Sequence, residues 1–173
     1  SAWTQTLDTR TASVICSNTY ADRLVVETTV FTPLERDLIV LKRRFTTEAA
    51  GTRTIRSTLH YQFTPPGKES RWPLRVTGSC AWIDAVKSVQ YRFQADAHRP
   101  CEGVVSLFSD QPVTAEIDGC RASLTSEVTL CAAKPVEQTY YLSFADFLDG
   151  EDYLDRAARL RSQAKELGFA GLF

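Results

Sequence analysis

Methionine is absent from this sequence, histidine occurs twice, and glycine only eight times in 173 residues. Without methionine no start codon is represented, so the expectation is a chain that has been processed, trimmed or cut from something longer. Ser1 and Ala2, which also suit a tag remnant, carry no weight. With glycine scarce, neither a GxGxxG nor a GKS/GKT phosphate loop occurs. The two histidines (His60 and His98) and the five cysteines (Cys16, Cys80, Cys101, Cys120 and Cys131) show no CxxC and no metal-ligand spacing, so neither a metal nor a cofactor is expected. The odd cysteine count reads as reduced side chains packed as small apolar groups. A single disulfide such as Cys101–Cys120 is left open for an exported protein. No sign of charge dominates: Lys plus Arg number 20 against 21 Asp plus Glu, which points the chain at neither nucleic acid nor an anionic membrane. No apolar run approaches the ~20 residues of a membrane span. No secretory signal is visible, though a mature chain would lack one, and a cytoplasmic setting is expected.

What is present is β patterning. A hydrophobic content of 43% with nine Phe furnishes the core of one domain, with room for an appendage. The stretch Leu7–Thr47 reads as three strands joined by polar turns. Asp8 and Arg10 pin the first turn, ahead of a short run from Ala12 to Asn18. From Arg23 to Thr32 the chain alternates, with Leu24, Val26, Thr28 and Val30 on one face and Val25, Glu27, Thr29 and Phe31 on the other. Pro33 ends that run. Leu38 to Thr47 begins apolar on both faces, then places Leu41 and Phe45 inward and Lys42 and Arg44 in water. Arg44 is expected to pair with Glu27 across strands. A turn on Gly51 leads to the cleanest alternation, Thr54 to Thr64: Ile55, Ser57, Leu59, Tyr61 and Phe63 dry, Arg56, Thr58, His60 and Gln62 wet. After a Pro-Pro-Gly loop, further strands are expected over Leu74–Trp82, Val86–Ala95 (Val89, Tyr91 and Phe93 inward), Gly103–Phe108, Val113–Ile117, Arg121–Ala132 and Val136–Phe144. Asp118-Gly119 marks a hairpin. Roughly ten strands with short connections imply an antiparallel two-sheet β-sandwich, with a barrel the less favoured alternative.

The period changes at Asp149-Gly150. Glu151 to Leu167 carries Leu154, Ala157, Ala158, Arg161, Ala164 and Leu167 at helical spacing. Asp149 suits the N-cap, the first turn is acidic, and Gly168 suits the position just past the helix. Phe169–Phe173 then forms an apolar terminus that needs a surface to cover it.

No acid–base pair stands out. A glycosidase holds two carboxylates ~5 to 9.5 Å apart, and Glu27, Glu35, Asp37, Asp84, Asp96, Glu116 and Glu127 read as solvated or turn-capping acids. The acids around the helix start, Asp146 to Asp155, suit caps and the helix dipole. Neither histidine has a nucleophile beside it in sequence. The residues with the best claim to a ligand are Arg71, Trp72 and Trp82, near loops, because the C–H faces of sugars stack on aromatic rings. Core packing of both tryptophans is the plainer alternative.

Two segments carry a family resemblance. The first is LDTRTASV…DRLVVETTVFTPLERDLIVLKRRFTT. It resembles the Leu-Asp-x-Arg turn and following strands at the amino-terminal part of glycoside hydrolase family 65 enzymes, a group with disaccharide phosphorylases and trehalases among its relatives. The second, YYLSFADF…AARLRSQAKELGFAGLF, is similar to the family's passage from sandwich to barrel through a helix and a Gly-Phe-x-x-Leu motif. The resemblance implies a mainly β fold, a galactose mutarotase-like super-sandwich over residues 1–145. Residues 146–173 would then form a linker helix toward an absent (α/α)6 catalytic barrel. It implies that the catalytic acid lies in that barrel, that this chain alone lacks catalytic residues, and that the sandwich lends a loop to a carbohydrate pocket. Arg71, Trp72 and Trp82 are the substrate-loop candidates. Against the family pattern, the early strands at the amino end are expected to be missing. The alternative from another class is a free-standing β-sandwich or barrel that binds a small apolar ligand or a protein. In that case Phe169, Leu172 and Phe173 should pack on the body. An assembly domain, a homodimer through a sheet edge or the helix, is the third reading.

Overall fold

The structure is a computed structural model that describes residues 2–20, 23–34, 36–63, 76–95, 102–132, 134–150 and 152–173. Among the described residues eleven strands precede one helix: β1 (Ala2–Asp8), β2 (Ser13–Thr19), β3 (Leu24–Phe31), β4 (Leu38–Thr47), β5 (Thr52–Gln62), β6 (Val76–Ile83), β7 (Ser88–Ala95), β8 (Glu102–Ser109), β9 (Thr114–Asp118), β10 (Arg121–Cys131), β11 (Val136–Asp146) and α1 (Tyr153–Leu172). Eight strands form one sheet in the order β1-β2-β3-β4-β11-β8-β7-β6, and three form a second in the order β5-β10-β9. All neighbours pair antiparallel. The fold is a mainly β, two-sheet antiparallel sandwich with one C-terminal helix, as the sequence implied.

The alternation of side chains across each strand assigns the large sheet's two faces. Its inner face sends Val89, Tyr91, Val105, Leu107, Tyr140 and Leu142 against Phe63, Ala122 and Leu124 of the small-sheet layer. Toward the other end of the sandwich, Leu24 and Phe45 meet Val128 and Leu130. The outer face is dry as well. Phe31, Leu38, Val40, Phe108 and Tyr141 cluster with Ala164 and Leu172 of the helix, and Val104 and Ala145 with Ala157. Full burial of each large side chain in these layers contributes about 1.5–3 kcal/mol relative to exposure. Two polar links cross between the sheets: Arg43 Nη1 donates to Ser57 Oγ (3.1 Å) and to the Thr58 carbonyl (3.0 Å), and Gln138 Nε2 donates to Ser126 Oγ (2.6 Å).

Several local expectations are met. The Arg10 backbone N–H donates to Asp8 Oδ1 at 2.9 Å in the first turn. Gly51 and Gly119 take φ of 86° and 57°, and Asp118 pairs with Arg121 across the hairpin.

Others are corrected. β1 was not anticipated: it is an edge strand whose residues stay almost wholly in water, so no buried face marks it in the sequence. Glu27 does stand opposite Arg44 in the ladder, but the Arg44 ion pair is with Glu137 on the other side, at 4.0 Å. Asp84–Val86, with Val86 expected in a strand, is a 3₁₀ turn. Asp149 belongs to a 3₁₀ turn, and Asp152 is the N-cap. On the helix Leu154 and Leu167 lie in water while Leu160 is buried, so the covered stripe runs through Ala157, Leu160, Arg161 and Ala164. Cys120 is a free thiol, as are Cys16, Cys80 and Cys131, while Cys101 lies outside the described residues. The apolar terminus is covered in part by this chain itself. Gly168, at φ 60°, breaks the helix and turns Phe169 and Phe173 onto Phe31, with ring centroids 5.4 and 5.0 Å away. Lys42, expected in water, lies with its ammonium 4.0 Å from the Phe169 ring centroid.

Gly103 marks a tight place in the large sheet. A Cβ there would sit 2.6 Å from Phe93 Cζ and 2.8 Å from the Ala145 carbonyl oxygen, and the latter is backbone that cannot swing away. Gly103→Ala is expected to destabilise the domain by about 1–3 kcal/mol through overpacking. Chemical denaturation of the variant checks this, and an unchanged midpoint would contradict the packing described.

Candidate functional site

Of the three residues singled out for ligand contact, Arg71 and Trp72 lie outside the described residues. Trp82 is near the end of β6, where the chain turns through Asp84–Val86 into β7. Lys87 closes this turn at φ 49°, ψ 51°, a left-handed conformation uncommon for a side chain of its size. The strand places Trp82 on the inner side, half-buried against the main core, and leaves the turn in solvent.

Asp84 organises the turn. Its Oδ1 accepts from Lys87 Nζ at 2.6 Å and from Trp82 Nε1 at 3.5 Å. The Lys87 hydrogen bond, then that of Trp82, holds the Asp84 carboxyl below its ordinary range. The indole is thereby fixed by its polar edge, with its faces left to packing and contact.

The opposite wall is the loop between β8 and β9, which is tied firmly to β11. Ser109 Oγ donates to the Thr139 carbonyl (3.0 Å), the Gln111 N–H donates to Ser109 Oγ (3.1 Å), and the Thr139 N–H donates to Asp110 Oδ1 (2.9 Å). Lys165 of α1 completes the lining. The cleft between Trp82, Asp84, Lys87, Asp110, Gln111, Val113 and Lys165 has a volume of about 670 Å³. That is a usual size for a small-molecule site. An indole, two carboxylates, two ammonium groups and an amide around one cavity match a polyhydroxylated ligand with apolar C–H faces.

A glycosidase pair needs one carboxyl kept protonated by its surroundings. Lys87 favours the ionised form of Asp84, and Asp110 Oδ1 accepts the Thr139 backbone N–H. The cleft can bind and orient.

A second groove, about 610 Å³, runs over the outer face of the small sheet and is lined by Arg56, Thr58, His60, Glu116, Ser123, Thr125 and Glu127. His60 has a partner that sequence reasoning missed: its Nδ1 lies 2.8 Å from Ser123 Oγ. The register aligns His60, Ser123 and Glu116 across three strands. The serine stands in the middle, so the carboxylate cannot orient the imidazole as a catalytic triad requires. The only sequence cue to this row was the alternation that put His60 on the wet face. Among the described residues no group of three or more His, Cys, Asp or Glu could hold a metal. No described helix is long and apolar enough to cross a membrane.

No protein-family model matches this chain, and no curated protein matches it in sequence. Solved structures do match in fold. One is a human-microbiome protein assigned as a kojibiose phosphorylase, with a TM-score of 0.77 and 14% identity over 99% of this chain and 24% of that one. The match lies in its N-terminal region. Another is a bacterial glucoamylase in complex with acarbose, with a TM-score of 0.52 and 14% identity over 99% of this chain and 27% of that one. The chain thus has the fold of the N-terminal β domain of these carbohydrate-active enzymes and spans about a quarter of the length of either.

The depressed Asp84 carboxyl is open to test. Its ionised form favours the folded state above the unfolded-state value, and that gain fades as pH falls through the folded value. At so exposed a site the effect on stability is small, and side-chain NMR reads it better than unfolding does. Lys87→Met should move the Asp84 titration up toward the ordinary carboxylate value. An unmoved titration would remove Lys87 as its cause.

Proposed function

We propose that this chain is the non-catalytic β-sandwich domain of a carbohydrate-active enzyme, a glycoside hydrolase or phosphorylase acting on glucosides. The observation that carries the reading is the fold match, at a TM-score of 0.77, to nearly all of this chain and to about a quarter of a much longer phosphorylase-like protein. In this reading the sandwich packs against an (α/α)6 catalytic barrel of the same polypeptide, and α1 with the segment after it is the passage toward that barrel. The Trp82 cleft contributes one wall of the sugar pocket, while acid–base chemistry belongs to the barrel. The free thiols at Cys16, Cys80, Cys120 and Cys131 suit a reducing, cytoplasmic setting.

A second reading has one specific observation in its favour. Phe169 and Leu172 pack on this chain's own sheet, the behaviour expected of a free-standing sandwich that binds a small apolar ligand or a protein partner. The source gene separates the two. Under the first reading the frame continues past Phe173 into repeated helix pairs, and a stop codon there would overturn it.

The cleft is tested separately. Titration of the 173-residue chain with glucose disaccharides, followed by amide chemical shifts, should perturb Trp82, Lys87 and Gln111 together. Trp82→Ala should weaken binding by roughly five- to 150-fold, since loss of one aromatic stacking contact costs about 1–3 kcal/mol by analogy with base stacking. Neither protein should turn over a glycoside. Turnover by the isolated chain would defeat the non-catalytic assignment.

A further inference from the structure

The large sheet is wider than the small one, and its first strands run past the cover. The register carries the inner face outward. Leu41 stands in a row with Val30, Val14 and Leu7, and Phe45 in a row with Val26, Asn18 and Trp3. Phe45 is buried against Val128 and Leu130 of the small sheet, and Leu41 packs on the main core. Trp3 and Leu7 share that side of the sheet, yet they are 62% and 65% exposed. An aromatic and an aliphatic side chain are thus presented together at the rim, beyond the reach of the three-stranded layer.

The backbone of β1 is presented too. A strand at a sheet edge offers a row of unpaired N–H and C=O groups, and natural edges are blunted by charges, proline, bulges, shortness or cover. The other edges of the sandwich have such devices. β9 has five residues with Glu116 and Asp118 among them, β5 carries Arg53 and Arg56, and β6 lies beside β9 of the other sheet. β1 reads Ala-Trp-Thr-Gln-Thr-Leu-Asp, without proline, lysine or arginine. Its one-to-one register with β2, from Ala2 to Asp8, leaves no bulge.

The strand is also complementary to itself. Turned antiparallel about Gln5, it sets Trp3 opposite the partner's Leu7, Thr4 opposite the partner's Thr6, and Gln5 opposite the partner's Gln5. Thr–Thr pairs hydrogen-bond across strands, and each Trp–Leu pair removes from water apolar surface that the single chain exposes. The two Asp8 carboxylates go to opposite ends of the ladder, each beside an Ala2, so no like charges meet. We propose that β1 pairs antiparallel with β1 of a second copy of this chain, about a two-fold axis at Gln5, and joins the two large sheets edge to edge. Such a contact is isologous and closes at two copies. A strand of seven residues falls well short of the ~20–30 residues a side of a standard interface, so the dimer is weak, with a dissociation constant on the order of 0.1 mM. The proposal holds under either reading of the chain's function.

The test is sedimentation velocity of the 173-residue chain over a range from about 10 µM to about 1 mM, on either side of that constant. The wild type should pass from monomer to dimer and go no further. Gln5 is exposed, so Gln5→Lys and Gln5→Glu should leave the fold intact. Each variant alone sets like charges opposite one another at the axis and should dimerise several-fold more weakly than the wild type. An equimolar mixture of the two sets opposite charges there and should associate at least as well as the wild type. Trp3→Thr, which removes the aromatic contact on both sides of the axis, should also weaken the dimer. A wild type that stays monomeric throughout, as it would if a different strand or another protein occupies this edge, would overturn the proposal. So would charge variants that dimerise undiminished, or a mixture no stronger than either variant alone.

Discussion

From Gln138 to Ser143 the strand β11 has no face left for water, and the rest of the molecule depends on that. β11 pairs with β4 on one side and β8 on the other. Tyr140 and Leu142 are sealed against the small sheet, and Tyr141 and Ala145 against the helix. Without β11 the large sheet would fall into two pieces, β1 to β4 and β6 to β8, joined by no ladder. Two polar side chains on this strand form a link to the small sheet. Tyr140 donates its hydroxyl to Gln138 Oε1 at 3.3 Å, and Gln138 in turn donates to Ser126, which ties the two sheets through a buried polar link. An unpaired polar atom at that depth costs more than the bond itself yields, so the link fixes how the small sheet sits over the large one.

The same strand positions the candidate cleft. Thr139 on β11 is the anchor for the Ser109–Gln111 turn, while the facing wall, the Trp82 hairpin, belongs to the far edge of the sheet. The cleft thus has one rigid wall and one built on an edge hairpin that Asp84 steadies through an exposed ion pair. Sites of this kind tolerate adjustment on one side while keeping a fixed reference on the other.

Much of this was legible in the sequence where one face of an element is wet. β5 declared itself because Ile55, Leu59 and Tyr61 alternate with Arg56, Thr58 and His60, and β7 did so through Val89, Tyr91 and Phe93. The hairpin at Asp118-Gly119 and the helix stop at Gly168 were legible because positive φ leaves few choices of residue. Legibility failed where the two faces of an element do not differ. β1 is wet on both faces, so no period of burial marks it. The helix stripe was misjudged because Leu154 and Leu167 advertise a face more loudly than Leu160 beside Arg161, and a buried arginine defies any scale of hydrophobicity. The cleft was half legible. Trp82 could be picked from its place near a turn, but its opposite wall is about thirty residues away and Lys165 more than eighty, and no local pattern encodes which turns converge.

Gly168 has a mechanical meaning. By kinking the helix it seats Phe169 and Phe173 on Phe31, a residue of β3 rather than of the helix. The last residues are thereby clamped to the sheet by an aromatic cluster that includes the stacked Phe169–Phe173 pair, with ring centroids 5.3 Å apart. Tension applied at the C-terminus meets that clamp before it reaches the part of α1 that precedes Gly168. The pull is carried into the hydrogen-bonded ladder of β3 and β4 instead of peeling the helix away turn by turn. A pull at this end is borne by the sheet, and the helix before Gly168 is shielded from the load.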